Sequence, residues 1–165
     1  MSESYWRSVI SAGMHVPPDR SLDELTMELV DMLGHPNQRI RDDIAYPLLA
    51  TWIQGGEYDR LLRGFGNGIA PNLNNGLGDD GDDSVLRRSF TALVLAEIIA
   101  RDNDAELLQS GTVLDWGDLA TSWYIRERDL RGWIPDRGWS HAVAHGADLI
   151  GMLARSRHFG PLELT

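Results

Sequence analysis

The chain contains no cysteine and no lysine. The first absence excludes disulfides, zinc-thiolate sites, iron–sulfur clusters and cysteine nucleophiles. The second excludes Schiff-base chemistry, pyridoxal phosphate attachment and a Walker-type phosphate loop. All fifteen cations are arginine, and against 25 acidic residues they leave a formal net charge of −10. An anionic partner such as nucleic acid or a membrane surface is therefore not expected. Long apolar runs are also missing. The most apolar window, Phe90 to Ala100, is interrupted by Thr91 and Glu97 and falls well short of the ~20 residues that span a bilayer. Met1 to Ile10 carries Glu3 and Arg7 and lacks the apolar stretch of a signal peptide, so a cytoplasmic location is expected.

What remains is ordinary for a globular protein. The 165 residues are 42% hydrophobic and 24% charged, which predicts one domain over residues 1–165 with a sizeable core. Apolar spacing is helical throughout, and no segment alternates as a half-buried strand does. Ser21-Leu22-Asp23-Glu24 is a capping box that opens a helix over Leu22 to Leu33. A second helix is predicted from Asn37 to Ile53, kinked at Pro47. A weak, glycine-laden helix follows over Glu57 to Ile69, and Pro71 to Asp83 reads as loop. Asp82 or Asp83 then caps a helix over Ser84 to Arg101 that is apolar almost all round and should be buried. A short helix over Ala105 to Gln109, another from Val113 to Arg128 and a last one from Gly138 to Arg155 complete the pattern.

The fold class is all-α. Arg41-Asp42-Asp43-Ile44-Ala45 is echoed 47 residues later by Arg88-Ser89-Phe90-Thr91-Ala92, and Gly138-Trp139-Ser140-His141-Ala142 opens a third long helix after a similar interval. This period predicts stacked helical hairpins, a HEAT- or armadillo-like solenoid. An irregular helical bundle is the alternative.

The sharpest constellation lies on the last predicted helix. His141, His145 and Asp148 stand at i, i+4 and i+7, within roughly 60° of one another and away from the apolar face. Imidazoles one turn apart can chelate a divalent transition metal, with the aspartate as a third ligand. No cofactor is otherwise expected. Position 142 is alanine, so the Glu of zinc-peptidase helices is missing. The competing reading satisfies each histidine by hydrogen bonds inside the fold. Just upstream, Glu127 and Asp129 are candidates to supply carboxylates to the histidines, and Arg131 to clamp an anion; otherwise they form a solvated helix end. Trp133 and Trp139 flank the turn from Pro135 to Gly138 and are candidates to wall a pocket for a sugar or other flat ligand. The acids Asp79-Asp80-Gly81-Asp82-Asp83 fail the spacing of a calcium loop and are better explained as helix caps.

Several of these blocks carry a resemblance. Arg41 to Tyr46, Asp83-Ser84-Val85 with Arg88-Ser89-Phe90, Glu127 to Gly132 and Gly138 to Asp148 are similar to the bacterial family called domain of unknown function 2785, over about residues 15 to 155. The resemblance implies a helical domain of HEAT-like character with no established activity. It also implies that relatives continue past the histidine helix, so the chain is expected to be a truncated or short member. Three functions fit these residues: binding of a protein partner or a polar small molecule through the His141/His145/Asp148 face, a metal-assisted hydrolase or lyase built on the same groups, or a structural subunit that assembles through an exposed repeat edge.

Overall fold

A computed structural model describes residues 2–79 and 81–160. Helices dominate it. They are α1 (Glu3–Ser11), α2 (Leu22–Met32), α3 (Tyr46–Gln54), α4 (Leu62–Ile69), α5 (Ser84–Ala105), α6 (Ser110–Arg126) and α7 (Ala142–Ala154). A π-helical turn, Arg39–Ala45, leads into α3, and a 3-10 turn, Ala70–Asn74, follows α4. No described helix is long and apolar enough to cross a membrane.

The local chemistry explains most boundaries. Ser21 caps α2, its Oγ accepting from the Glu24 amide at 3.1 Å, and Leu25, Leu29 and Leu33 turn inward. Pro47 does not kink a continuous α-helix, as its place in the sequence suggests. It sits in the first turn of α3, where its missing N–H costs nothing, and the wider π-helical turn lies just before it, where a proline ring crowds the carbonyl four residues back. Asp82 accepts from the Ser84 amide at 2.9 Å and from its hydroxyl at 2.6 Å, so this one of the acids before α5 serves as a cap. Asp83 makes no capping bond and accepts from Arg137 Nε at 3.1 Å. Asp80 of that run lies outside the described residues.

Helix α5 is the axis of the core. Val85, Leu86, Phe90, Val94, Leu95, Ile98 and Ile99 are all buried, and both α3 and α7 pack against it. Helix α2 packs on α3, α4 on α5, and α6 on α7. Two sequence expectations are corrected here. The short helix over Ala105 to Gln109 does not form: Glu106 turns left-handed at φ 56°, and buried Asp102 accepts from the Leu107 and Leu108 amides at 2.8 and 2.7 Å. Second, the chain is not wholly helical. Trp133–Ile134 and Gly138–Trp139 pair as a small antiparallel hairpin, turning at Pro135 and Asp136, whose φ is 64°.

Two arginines are fully buried, Arg41 and Arg88, the pair singled out by the 47-residue echo. Arg88 grips Glu127 with two bonds, Nε–Oε1 at 2.7 Å and Nη2–Oε2 at 2.9 Å, and also reaches the Asn75 carbonyl at 2.9 Å. Glu127 in turn accepts from Trp123 Nε1 at 3.0 Å and from two backbone amides. Removing one partner of such a pair leaves a buried charge uncompensated, so Arg88→Leu is expected to lose about 3–5 kcal/mol of stability in urea titration. The double variant Arg88→Leu with Glu127→Leu should recover part of that loss. A single-variant loss below about 1 kcal/mol would show the pair to be no more than a solvated one.

Candidate functional site

The hairpin decides how the histidines are presented. The Ser140 amide donates to the Gly132 carbonyl at 2.7 Å, which ties residues 138 to 140 to the hairpin and delays the last helix to Ala142. His141 is therefore not a helical residue but the cap before α7, held left-handed at φ 49°. Its carbonyl accepts the first helical bond, from the His145 amide at 2.8 Å. Helical phase still relates His145 to Asp148, but it no longer relates either of them to His141. The imidazole of His141 instead stacks flat on the Trp139 indole, with centroids 4.4 Å apart and planes within 5°. Trp133 meets Trp139 edge-on at 5.3 Å. Both tryptophans stay about half exposed, at 53% and 46%, whereas Trp6, Trp52, Trp116 and Trp123 are core residues.

His145 lies one turn further into the fold. Its ring is 6.1 Å from that of His141 and stands edge-on to Phe90 at 5.4 Å. Its Nδ1 is buried and has no hydrogen-bond partner. Burial, together with the nearby His141 ring, pushes its pKa down to about 4, against the opposing pull of the Ser89 backbone and the Asp148 carboxylate. The ring is neutral at pH 7. Gly146 permits this depth, because a Cβ there would stand 2.4 Å from the Tyr124 ring of α6.

His141, His145 and Trp139 line a cleft of about 320 Å³ with Asp42, Tyr46, Phe90 and Leu93. Burial raises the pKa of Asp42, while the Gln38 side chain and Arg41 pull it back. Asp148 does not line this cleft. It borders the next one, about 260 Å³, with Glu97, Gly151 and Arg155, and Tyr46 and Leu93 are common to both. The two clefts thus follow one another between α3, α5 and α7. Among the described residues no three His, Asp or Glu side chains are gathered closely enough to hold a metal ion, so His141, His145 and Asp148 do not form the three-ligand set that their spacing suggests.

The acidic candidates upstream are differently occupied. Glu127 and Asp129 are buried and supply nothing to the histidines. Glu127 holds Arg88, while Asp129 is gripped by Arg131 at 2.8 and 2.6 Å and accepts the Gly81 amide at 3.1 Å. Arg131 also donates to the Asp82 carbonyl at 3.0 Å, so its fork clamps an internal carboxylate rather than an outside anion. These residues are not a solvated helix end either; they fasten the loop after α6. Sequence reasoning missed Asp42, Tyr46 and Phe90 as cleft residues, although they belong to the blocks around Arg41 and Arg88 that repeat.

Fold and cleft together define a predominantly helical protein with a histidine-and-tryptophan recess between three packed helices. The chain belongs to the family described as protein of unknown function (DUF2785), whose model matches residues 73–164. The match takes in α5, α6, the hairpin and α7. No curated protein and no solved structure matches the chain.

The titration of His145 is a direct check of this geometry. A histidine held near 4 when folded and near 6.5 when unfolded binds more protons in the unfolded state between those values, so folding stability falls as pH drops through that window. The His145 ring signals should titrate near pH 4 in NMR, and His145→Phe should flatten the stability profile between pH 6.5 and 4. A midpoint near 6.5 would contradict the buried placement.

Proposed function

We propose that the chain is a binding module for a polar, ring-shaped small molecule of the sugar type, taken up in the recess of Trp139, His141, His145 and Asp42. The carrying observation is the half-exposed indole stack at the mouth with the neutral His145 imidazole and Asp42 lining the same recess. Each group suits such a ligand. An exposed indole offers an apolar platform to the C–H face of a sugar ring. A neutral imidazole can donate or accept, and a carboxylate at Asp42 accepts from hydroxyls.

The scaffold we propose for this module is a short stack of helical hairpins of HEAT-like character, α2 with α3, α4 with α5 and α6 with α7. Two facts favour it over an irregular bundle. The second helices of the three pairs lie side by side, α3 on α5 and α5 on α7. Arg41 and Arg88, 47 residues apart, are buried to the same degree near the start of the second helix of the first and second pairs. The recess then lies on the face made by successive second helices, where stacked-repeat proteins present their binding surface.

Titration with a panel of mono- and oligosaccharides, followed by tryptophan fluorescence and the His145 ring signals, tests the reading. A binder should shift both probes together, and Trp139→Ala should weaken it by at least about tenfold with the fold intact. If no saccharide moves either probe, the reading fails.

A further inference from the structure

A larger cleft, about 820 Å³, lies away from the histidine recess, between α2 and α4, and apart from Arg87 it is built from residues that precede the family match. Its two walls carry opposite charge. The α2 wall presents Asp23 and Asp31, with Arg87 of α5 set against its C-terminal end, and the opposite wall presents Arg63 of α4 and Arg60 of the turn before it. Neither Arg60 nor Arg63 has a partner among the described residues, although the chain as a whole is strongly acidic. Asp31 touches only Arg87, at 3.6 Å, and keeps 88% of its side chain exposed.

The relief is equally two-sided. Met27 projects from α2 with 74% of its surface exposed, an unusual position for a long apolar side chain with nothing on it. Opposite it, Gly64 and Gly68 stand one turn apart on α4, and a Cβ at either would meet nothing within 4 Å. The cleft therefore carries a knob and an acidic row on one wall, a notch and a basic row on the other.

A partner of a single charge sign would be attracted to one wall and repelled by the other. A second copy of the chain meets no such conflict. In a two-fold interface each surface faces its own image, so α2 of one copy can lie on α4 of the other twice over. Met27 then fills the glycine notch, and Asp23 and Asp31 face Arg60 and Arg63. We infer that this cleft is the self-association surface of the protein and that the chain pairs as a two-fold dimer through α2 and α4.

Sedimentation velocity over a range of concentrations tests it. The unaltered chain should sediment as a dimer, more weakly in high salt, and Met27→Asp should shift it to monomer. The decisive variants reverse one row each: Asp23→Arg with Asp31→Asn makes both walls basic, and Arg60→Glu with Arg63→Glu makes both acidic. Each alone should dimerise at least about 100-fold more weakly, while an equimolar mixture of the two should form a heterodimer, no contact then being between like charges. Circular dichroism of each variant reports whether it is folded. A chain that is monomeric at every concentration overturns the proposal, and if that monomer takes up an acidic amphipathic peptide the cleft belongs to a foreign helix instead. A dimer indifferent to Met27→Asp and to both reversals overturns it as well.

Discussion

A guanidinium group with no carboxylate in hydrogen-bonding contact is an unusual thing to bury, and Arg41 is buried completely. Its Nη1 donates to the carbonyls of His35 at 2.7 Å and Pro36 at 3.0 Å, its Nη2 donates to the carbonyl of Arg137, and its plane lies over the Phe90 ring at 5.2 Å. Three backbone oxygens and a ring face thus make its direct contacts, with the Asp42 and Asp83 carboxylates acting on it from further off. Burial lowers the pKa of the group, but an arginine stays charged in proteins, so its environment must supply this negative potential. The turn before the π-helical segment, the start of α5 and the far hairpin are drawn to a single point. Arg88 does the equivalent for the next layer with a carboxylate, Glu127.

The recess follows from that convergence. With the Arg137 carbonyl fixed, the hairpin brings Trp139 over the mouth and leaves His141 in a left-handed cap instead of a helical turn. With Phe90 held under Arg41, His145 meets the ring edge-on and its Nδ1 is buried. The low pKa of His145 is thus a result of packing, and the neutral imidazole that a hydroxylated ligand would meet comes from the same contacts that fasten the fold. The left-handed His141 and the buried Nδ1 of His145 both fall at this recess.

Much of the fold was legible in the residues themselves. The capping serine of α2, the all-round apolar α5 and the capping Asp82 before it announce their roles through spacing that depends only on neighbours within a turn. The equivalence of Arg41 and Arg88 was visible as an echo, though not its meaning, because burial of a cation depends on what the chain brings to it from far away. The site was legible in part. His141, His145 and Trp139 do meet in one cleft, but a helix was expected to begin at Gly138, and that error set His141 in the wrong phase. The sequence Trp133-Ile134-Pro135-Asp136-Arg137-Gly138-Trp139 held the corrective signal, β-forming residues on both sides of a Pro-Asp turn. Glu127, Asp129 and Arg131 were misplaced for another reason. Local charge density does not reveal whether a partner such as Arg88, distant in sequence, will draw a carboxylate inside.

The central claim is that one buried arginine, bonded directly to backbone carbonyls, positions the hairpin and, through it, the recess. Hydrogen exchange of the variant Arg41→Met, compared with the unaltered chain, tests it most directly. The amides of Arg137 and Ser140 and the first turn of α7 should lose protection, while those around Glu127, fastened by Arg88, keep theirs. Unchanged protection across residues 133 to 145 would contradict the account, and so would a uniform loss over the whole chain.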